Sequence, residues 1–134
     1  MRGFLSAGFV LTAVLVSGGV ALAGNVHFIG SPTCVQSGGQ LCCSGKVAGL
    51  GTVPTNVEID AQFQCTNKGG NQPGGLASGQ SGPIPPSGGQ ITFTNVCTAA
   101  GRCPDTMTPT FGPTATINIF QRGNLVFSAT VPVS

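Results

Sequence analysis

The chain has 134 residues, a net charge of +2 and 6% charged residues, and 40% of it is hydrophobic. That length holds one domain after any leader is removed, which excludes a multidomain enzyme. Five basic residues scattered along the chain form no stripe or cluster, which excludes the electrostatic footprint of a nucleic-acid binder or of a protein held on anionic membrane.

Met1-Arg2-Gly3 opens the chain with one positive charge, and no acidic residue occurs before Glu58. An apolar stretch runs from Phe4 to Val16 and ends in Ser17-Gly18-Gly19-Val20-Ala21-Leu22-Ala23. A basic start, a short apolar core and small residues at Ala21 and Ala23 form a secretory signal peptide with an A-x-A cleavage site. The apolar run is shorter than the roughly 20 residues that span a bilayer, so an uncleaved anchor fits less well. The expectation is a signal peptide over 1–23 and a single secreted domain over 24–134, with no lipid anchor because no cysteine follows Ala23.

Past Ala23, about a quarter of the residues are glycine or proline, near the level at which disorder is a fair reading. Disordered chains combine low hydrophobicity with high charge, however. Here charge is scarce and alternating patterns recur, so an ordered domain with Gly/Pro-rich loops is expected. All six cysteines, Cys34, Cys42, Cys43, Cys65, Cys97 and Cys103, lie in this part. An even number in an exported small domain reads as three disulfides, and 15 connectivities are open to six cysteines. With no C-x-x-C and with His27 as the single histidine, the residues speak against zinc, and no cofactor is expected.

Taken in chain order, weak strand signals cover Asn25–Ile29 and Leu41–Ala48, and in the latter Cys42 and Cys43 must point to opposite faces. The clearest strand is Val57-Glu58-Ile59-Asp60-Ala61-Gln62-Phe63-Gln64-Cys65, apolar on one face and polar on the other. Asn67–Gly75 then reads as a flexible glycine-rich linker that leads into Gly79–Gly89, with a short edge strand near Gly82–Pro85. Ile91–Cys97 is a strand with Ile91, Phe93 and Cys97 inward, and Thr98–Pro113 is a second long loop. Ala115–Gln121 and Leu125–Val131 form a hairpin about Arg122-Gly123-Asn124, and Pro132 ends it. Six or seven short strands and no helical periodicity point to an all-β, disulfide-stapled, two-sheet antiparallel sandwich, immunoglobulin-like in general architecture, with a small barrel as the alternative. The Cys–Trp–Cys hallmark of true immunoglobulin domains is missing.

Gly45-Lys46-Val47-Ala48-Gly49-Leu50-Gly51, the Val57–Phe63 strand, Cys65-Thr66-Asn67-Lys68-Gly69-Gly70-Asn71-Gln72-Pro73 and Cys103-Pro104 together resemble an uncharacterised family of small secreted β-sandwich proteins of actinobacterial type. That pattern has a GLG turn, a C-x-N-x-GGN loop and a later CP, and the likeness runs from Gly45 to the C-terminus. It implies a β-sandwich and a Cys65–Cys103 disulfide, and it brings no activity. Family members often carry a tryptophan soon after the CP, where this chain has Met107, and Cys34, Cys42, Cys43 and Cys97 depart from the pattern. Given Cys65–Cys103, Cys34 pairs with Cys42 or Cys43 and Cys97 takes the other. A local Cys97–Cys103 pair is the competing arrangement.

Catalytic chemistry finds little to work with. Glu58 and Asp60 share a strand face and could form a glycosidase pair, but a solvated face is the simpler reading. Asp105 after Pro104 is a turn residue. His27 has no G-x-S-x-G partner motif, and six cysteines that pair leave no thiolate nucleophile. The run Gly69–Gly75 lacks the G-K-[ST] of a phosphate loop. Sugar-binding modules usually stack sugars on Trp or Tyr, and this chain has neither. With Phe28, Phe63, Phe93, Phe120 and Phe127 in core-like patterns, Phe111 is the one exposed aromatic anchor expected, and flat aromatic recognition is disfavoured. The candidate binding residues are therefore Asn67, Lys68, Asn71, Gln72, Arg102 and Phe111, on loops held by a rigid scaffold. The expected function is a non-enzymatic extracellular structural or interaction module that adheres to a protein or cell surface, or to itself. The alternatives are a secreted effector or inhibitor presenting a rigid loop, and, least supported, a small hydrolase built on Glu58 and Asp60.

Overall fold

Period-2 alternation sets which side chains meet in this protein. A computed structural model describes residues 25–134, and the expected signal segment lies outside the described residues. Nine strands and no helix occur there: β1 His27–Phe28, β2 Thr33–Ser37, β3 Gln40–Ala48, β4 Thr55–Asn67, β5 Gly70–Ile84, β6 Ile91–Cys97, β7 Thr108–Phe111, β8 Thr114–Gln121 and β9 Asn124–Pro132. They form two antiparallel sheets, one of β1, β2, β3 and β6, the other of β4, β5, β7, β8 and β9. The fold is thus the expected stapled two-sheet sandwich.

Both sheets are built around one central strand. β3 pairs with β6 along one side, and with β2 and then β1 along the other. β4 pairs with β5 over its whole length, and on its other side with β8 at one end and β7 at the other. Along β4, Val57, Ile59, Ala61, Phe63 and Cys65 are buried, while Glu58, Asp60, Gln62 and Gln64 face outward, as the alternation requires. These inner residues meet Leu41, Cys43 and Val47 of β3, Ile91, Phe93 and Val96 of β6, and Ala115, Ile117, Ile119 and Val131 of the β8–β9 hairpin in one shared core. At roughly 25 cal/mol per Å² of apolar surface removed from water, that core is the main favourable contribution to folding.

The linker expected at Asn67–Gly75 is part of a strand. Asn67 to Gly70 make a tight β4–β5 turn, in which the Gly69 amide donates to Asn67 Oδ1 at 2.7 Å, and the chain returns as β5 beside β4. Glycine suits this strand because it runs close to other groups. A Cβ at Gly74 would overlap the Phe63 ring, and one at Gly79 would overlap the carbonyl of Cys97. Composition read as flexibility is therefore close packing. The long Thr98–Pro113 segment likewise contains β7, which caps the far end of β4.

Two expectations of orientation are reversed by local geometry. Cys97 does not point inward. Asn95 takes a positive φ of 51°, and the β3–β6 register shifts between Cys43 and Gly45. This bulge puts two residues opposite Ser44, so the parity changes, Val96 turns into the core and Cys97 turns out. Phe111 is buried, not exposed, with its ring 6.0 Å from that of Phe63.

The disulfides are Cys34–Cys43, Cys42–Cys97 and Cys65–Cys103. The last is the pair that the resemblance implied, and the local Cys97–Cys103 alternative does not form. Cys34–Cys43 and Cys42–Cys97 each join adjacent strands of the first sheet, and Cys65–Cys103 pins the β6–β7 connection to β4. None crosses the core from sheet to sheet as in antibody domains. The sheets are joined instead at their edges. The Ala99 amide donates to the Ser78 carbonyl at 2.9 Å beside β5, and the Ser134 amide donates to the Cys34 carbonyl at 2.9 Å beside β2.

Candidate functional site

The predicted loop residues do not come together as one surface. Asn67 and Lys68 sit exposed on the β4–β5 turn, and Asn71 and Gln72 begin β5. The Gln72 amide donates to Met107 Sδ at 3.0 Å, which ties β5 to the segment after Cys103. Arg102 is exposed on the segment that the Cys65–Cys103 disulfide holds. Phe111 is removed from the set by its burial against Phe63.

A more coherent arrangement lies on the outer face of the second sheet. Asn118 Nδ2 donates to Glu58 Oε1 at 3.1 Å and to Asp60 Oδ2 at 3.0 Å, while its Oδ1 accepts from the Ser128 hydroxyl at 2.7 Å. Ser78 Oγ donates to the other Asp60 oxygen. The network crosses β5, β4, β8 and β9 because cross-strand neighbours on one face lie within side-chain reach. Its two carboxylates converge on one amide nitrogen rather than facing each other across an open cleft. Among the described residues, no group of three or more His, Cys, Asp or Glu side chains is placed to hold a metal ion.

Beside this network runs a groove of about 590 Å³ lined by Pro54, Asn56, Glu58, Gln80, Pro83, Phe120, Arg122 and Gly123. The β8–β9 turn supplies one end. Arg122 and Gly123 have φ of 54° and 79°, the left-handed pair of a tight two-residue hairpin turn. Asn and Gly are the usual occupants, and a long side chain such as arginine is unusual there. Asn56 forms a rigid wall: its Nδ2 donates to Gln80 Oε1 at 2.8 Å, and its Oδ1 accepts from the Gly82 amide at 3.0 Å. That leaves the Gln80 Nε2 hydrogens without a partner among the described residues.

Sequence reasoning missed Phe120 and Gln121, although the signal was present. Ile117 and Ile119 set the inward parity of β8, so Phe120 falls on the outer face with Thr116 and Asn118. Gln121 falls inward, where its Nε2 donates to the carbonyls of Leu50 and Val53 at 2.8 and 3.3 Å and to Thr55 Oγ1 at 3.1 Å. It thereby braces the β3–β4 connection behind the groove.

Three disulfides fit an oxidising compartment outside the cytoplasm. Among the described residues no helix is long and apolar enough to cross a membrane. Comparison with protein-family models, with curated proteins and with solved structures finds no match for this chain.

Proposed function

We propose that the chain is a secreted, non-enzymatic binding module that presents the outer face of its second sheet to an extracellular surface. The observation that carries this reading is the braced polar face around Glu58, Asp60 and Asn118 with the groove at its side. A face whose side chains are already held by one another binds at a low ordering cost, which favours recognition by a rigid scaffold. The same geometry disfavours hydrolysis. Both carboxylates accept from the Asn118 amide on one strand face, and they do not flank an open cleft in which a scissile bond would sit. The A-x-A site at Ala21–Ala23 and the three disulfides support export.

The test uses beads coated with the mature domain and presented to cells, cell-wall material and extracellular matrix. Retention on one of these surfaces is expected. A domain that stays monodisperse at high concentration and binds none of them overturns the reading. One observation favours the alternative of a protein-directed effector or inhibitor: the Cys65–Cys103 disulfide fixes the Arg102 segment to β4, whose far end carries the Asn67–Gly70 turn. Recovery of one stoichiometric protein through that end, lost on Lys68→Ala and Arg102→Ala, would favour that second reading.

A further inference from the structure

We infer that the groove between the β8–β9 turn and the β4–β5 edge is a binding site for a neutral carbohydrate, a proposal that names the ligand of the binding module described above. Its size of about 590 Å³ falls within the roughly 300–1,000 Å³ of small-ligand sites. The lining selects the chemistry. Phe120, Pro54 and Pro83 give apolar surface, and Glu58, Arg122 and Gln80 give hydrogen-bonding groups.

Each other ligand class meets an obstacle in this lining. A polyanion would lie against Glu58, and a cation against Arg122. A purely apolar ligand would strip water from both charges without replacing their hydrogen bonds, which is costly. An extended peptide added as a strand needs a free sheet edge. β4 and β8 beneath the groove are each paired on both sides, and on the edge strand β5 that lines it Pro83 has no N–H to donate to an added strand. Recognition there falls to side chains alone. A pyranose presents hydroxyls around its rim and C–H groups on its faces. Its hydroxyls can both donate to a carboxylate and accept from a guanidinium and an amide, while its apolar face rests on the electron-rich face of an aromatic ring. Glu58, Arg122, the free Nε2 of Gln80 and the Phe120 ring supply that set.

Two features show a built site. The Glu58 carboxylate is oriented by the Asn118 amide at 3.1 Å, and the Gln80 carbonyl by Asn56 at 2.8 Å, so each side chain holds its remaining hydrogen-bonding groups in a set direction. Arg122 occupies a left-handed position at φ 54°, where asparagine would be the more comfortable residue. The left-handed turn sets this long charged side chain at the mouth of the groove, which suits a binding role.

The experiment titrates the mature, disulfide-intact domain with short neutral oligosaccharides of glucose, mannose, galactose and N-acetylglucosamine, alongside sulfated and sialylated ones, and follows amide shifts by NMR. At least one neutral sugar is expected to bind, with shifts concentrated at Asn56, Gln80, Phe120 and Arg122. Arg122→Asn should raise the melting temperature, because asparagine suits the turn, and yet weaken binding about ten- to hundredfold, the value of a hydrogen bond to a charged group. Glu58→Gln keeps an acceptor for Asn118 and should weaken binding without unfolding. Binding only to anionic sugars, binding by no sugar, or binding unchanged by both substitutions overturns the proposal. The coated beads keep the two readings apart. If they adhere to a surface, unaffected by Arg122→Asn and by added oligosaccharide, the glycan proposal fails while the binding module stands.

Discussion

Cys42 and Cys43 are neighbours on β3, yet they bridge to strands on opposite sides and on opposite faces of the sheet. Cys42 joins Cys97 of β6 with a Cα–Cα distance of 4.0 Å, and Cys43 joins Cys34 of β2 at 4.1 Å. Spacings this short belong to the non-hydrogen-bonded pairs of an antiparallel ladder. Along a central strand those close pairs alternate from one neighbouring strand to the other. Two adjacent cysteines are therefore each positioned for a different partner, and the Cys34–Cys97 connection has no place. Cys34 and Cys43 are fully buried, whereas Cys42 and Cys97 are only half-buried on the outer face.

Exposure sets the order of reduction. Attack on a disulfide requires a thiolate to reach its sulfur, so in native buffer Cys42–Cys97 should open first and Cys34–Cys43 last. Timed alkylation followed by peptide mass analysis checks this, and the opposite order would show the first sheet opening before its surface bridge reacts.

Loop length sets the stability lost with each of these bridges. Cys42–Cys97 spans a sequence separation of 55, and Cys34–Cys43 one of 9. On loop-closure entropy alone, removal of the first costs about 4 kcal/mol and of the second about 2.5 kcal/mol. Urea denaturation of the two paired Cys→Ala variants should therefore place the Cys42/Cys97 variant lower.

Gly79→Ala should be among the most damaging single substitutions in β5. Its Cβ would overlap the Cys97 carbonyl, and the nearest atoms it meets are all backbone of Cys97 and Thr98, which cannot swing aside as a side chain can. A loss of about 2–4 kcal/mol is expected from overpacking together with separation of β5 from β6. Gly75→Ala is the control: its Cβ would sit 3.7 Å from the Phe63 ring, an ordinary contact, and thermal unfolding should change little.

Gln121→Leu keeps approximate volume and removes the donor that satisfies Leu50, Val53 and Thr55. Stranding buried acceptors should cost about 1–3 kcal/mol. Amide exchange should rise in the 50–55 connection before it rises elsewhere. Uniform loss of protection would instead mean that Gln121 acts only through packing.

Deleting Asn95 should remove the β6 bulge and restore strict alternation. Thr94 alone would then face Ser44, so Val96 stays inward opposite Cys43 and Cys97 stays outward opposite Cys42. A free-thiol assay on the deletion variant should find all three bridges intact, and free thiols at Cys42 and Cys97 would show that the left-handed residue, rather than the register, positions Cys97.

Much of the fold was legible in the chain because side-chain parity is local. Val57 to Cys65 and Ile117 to Ile119 specify their strands and inner faces from period 2 alone, and the opposite orientations of Cys42 and Cys43 follow from the same rule. Where parity is shifted by a bulge, as at Asn95, reading along the chain puts Cys97 on the wrong face. The nonlocal relations were out of reach. Glycines in β5 look like a linker until Phe63 and Cys97 occupy the space beside them, and Phe111 looks like an exposed anchor until β7 lays it against Phe63. The groove needs strands β4, β5 and β8 in register before Glu58, Gln80, Phe120 and Arg122 face one another. Composition and alternation determined an all-β, stapled domain suited to an oxidising compartment. Only the tertiary structure decided its disulfide map and the groove on its outer face, because both depend on which strands become neighbours.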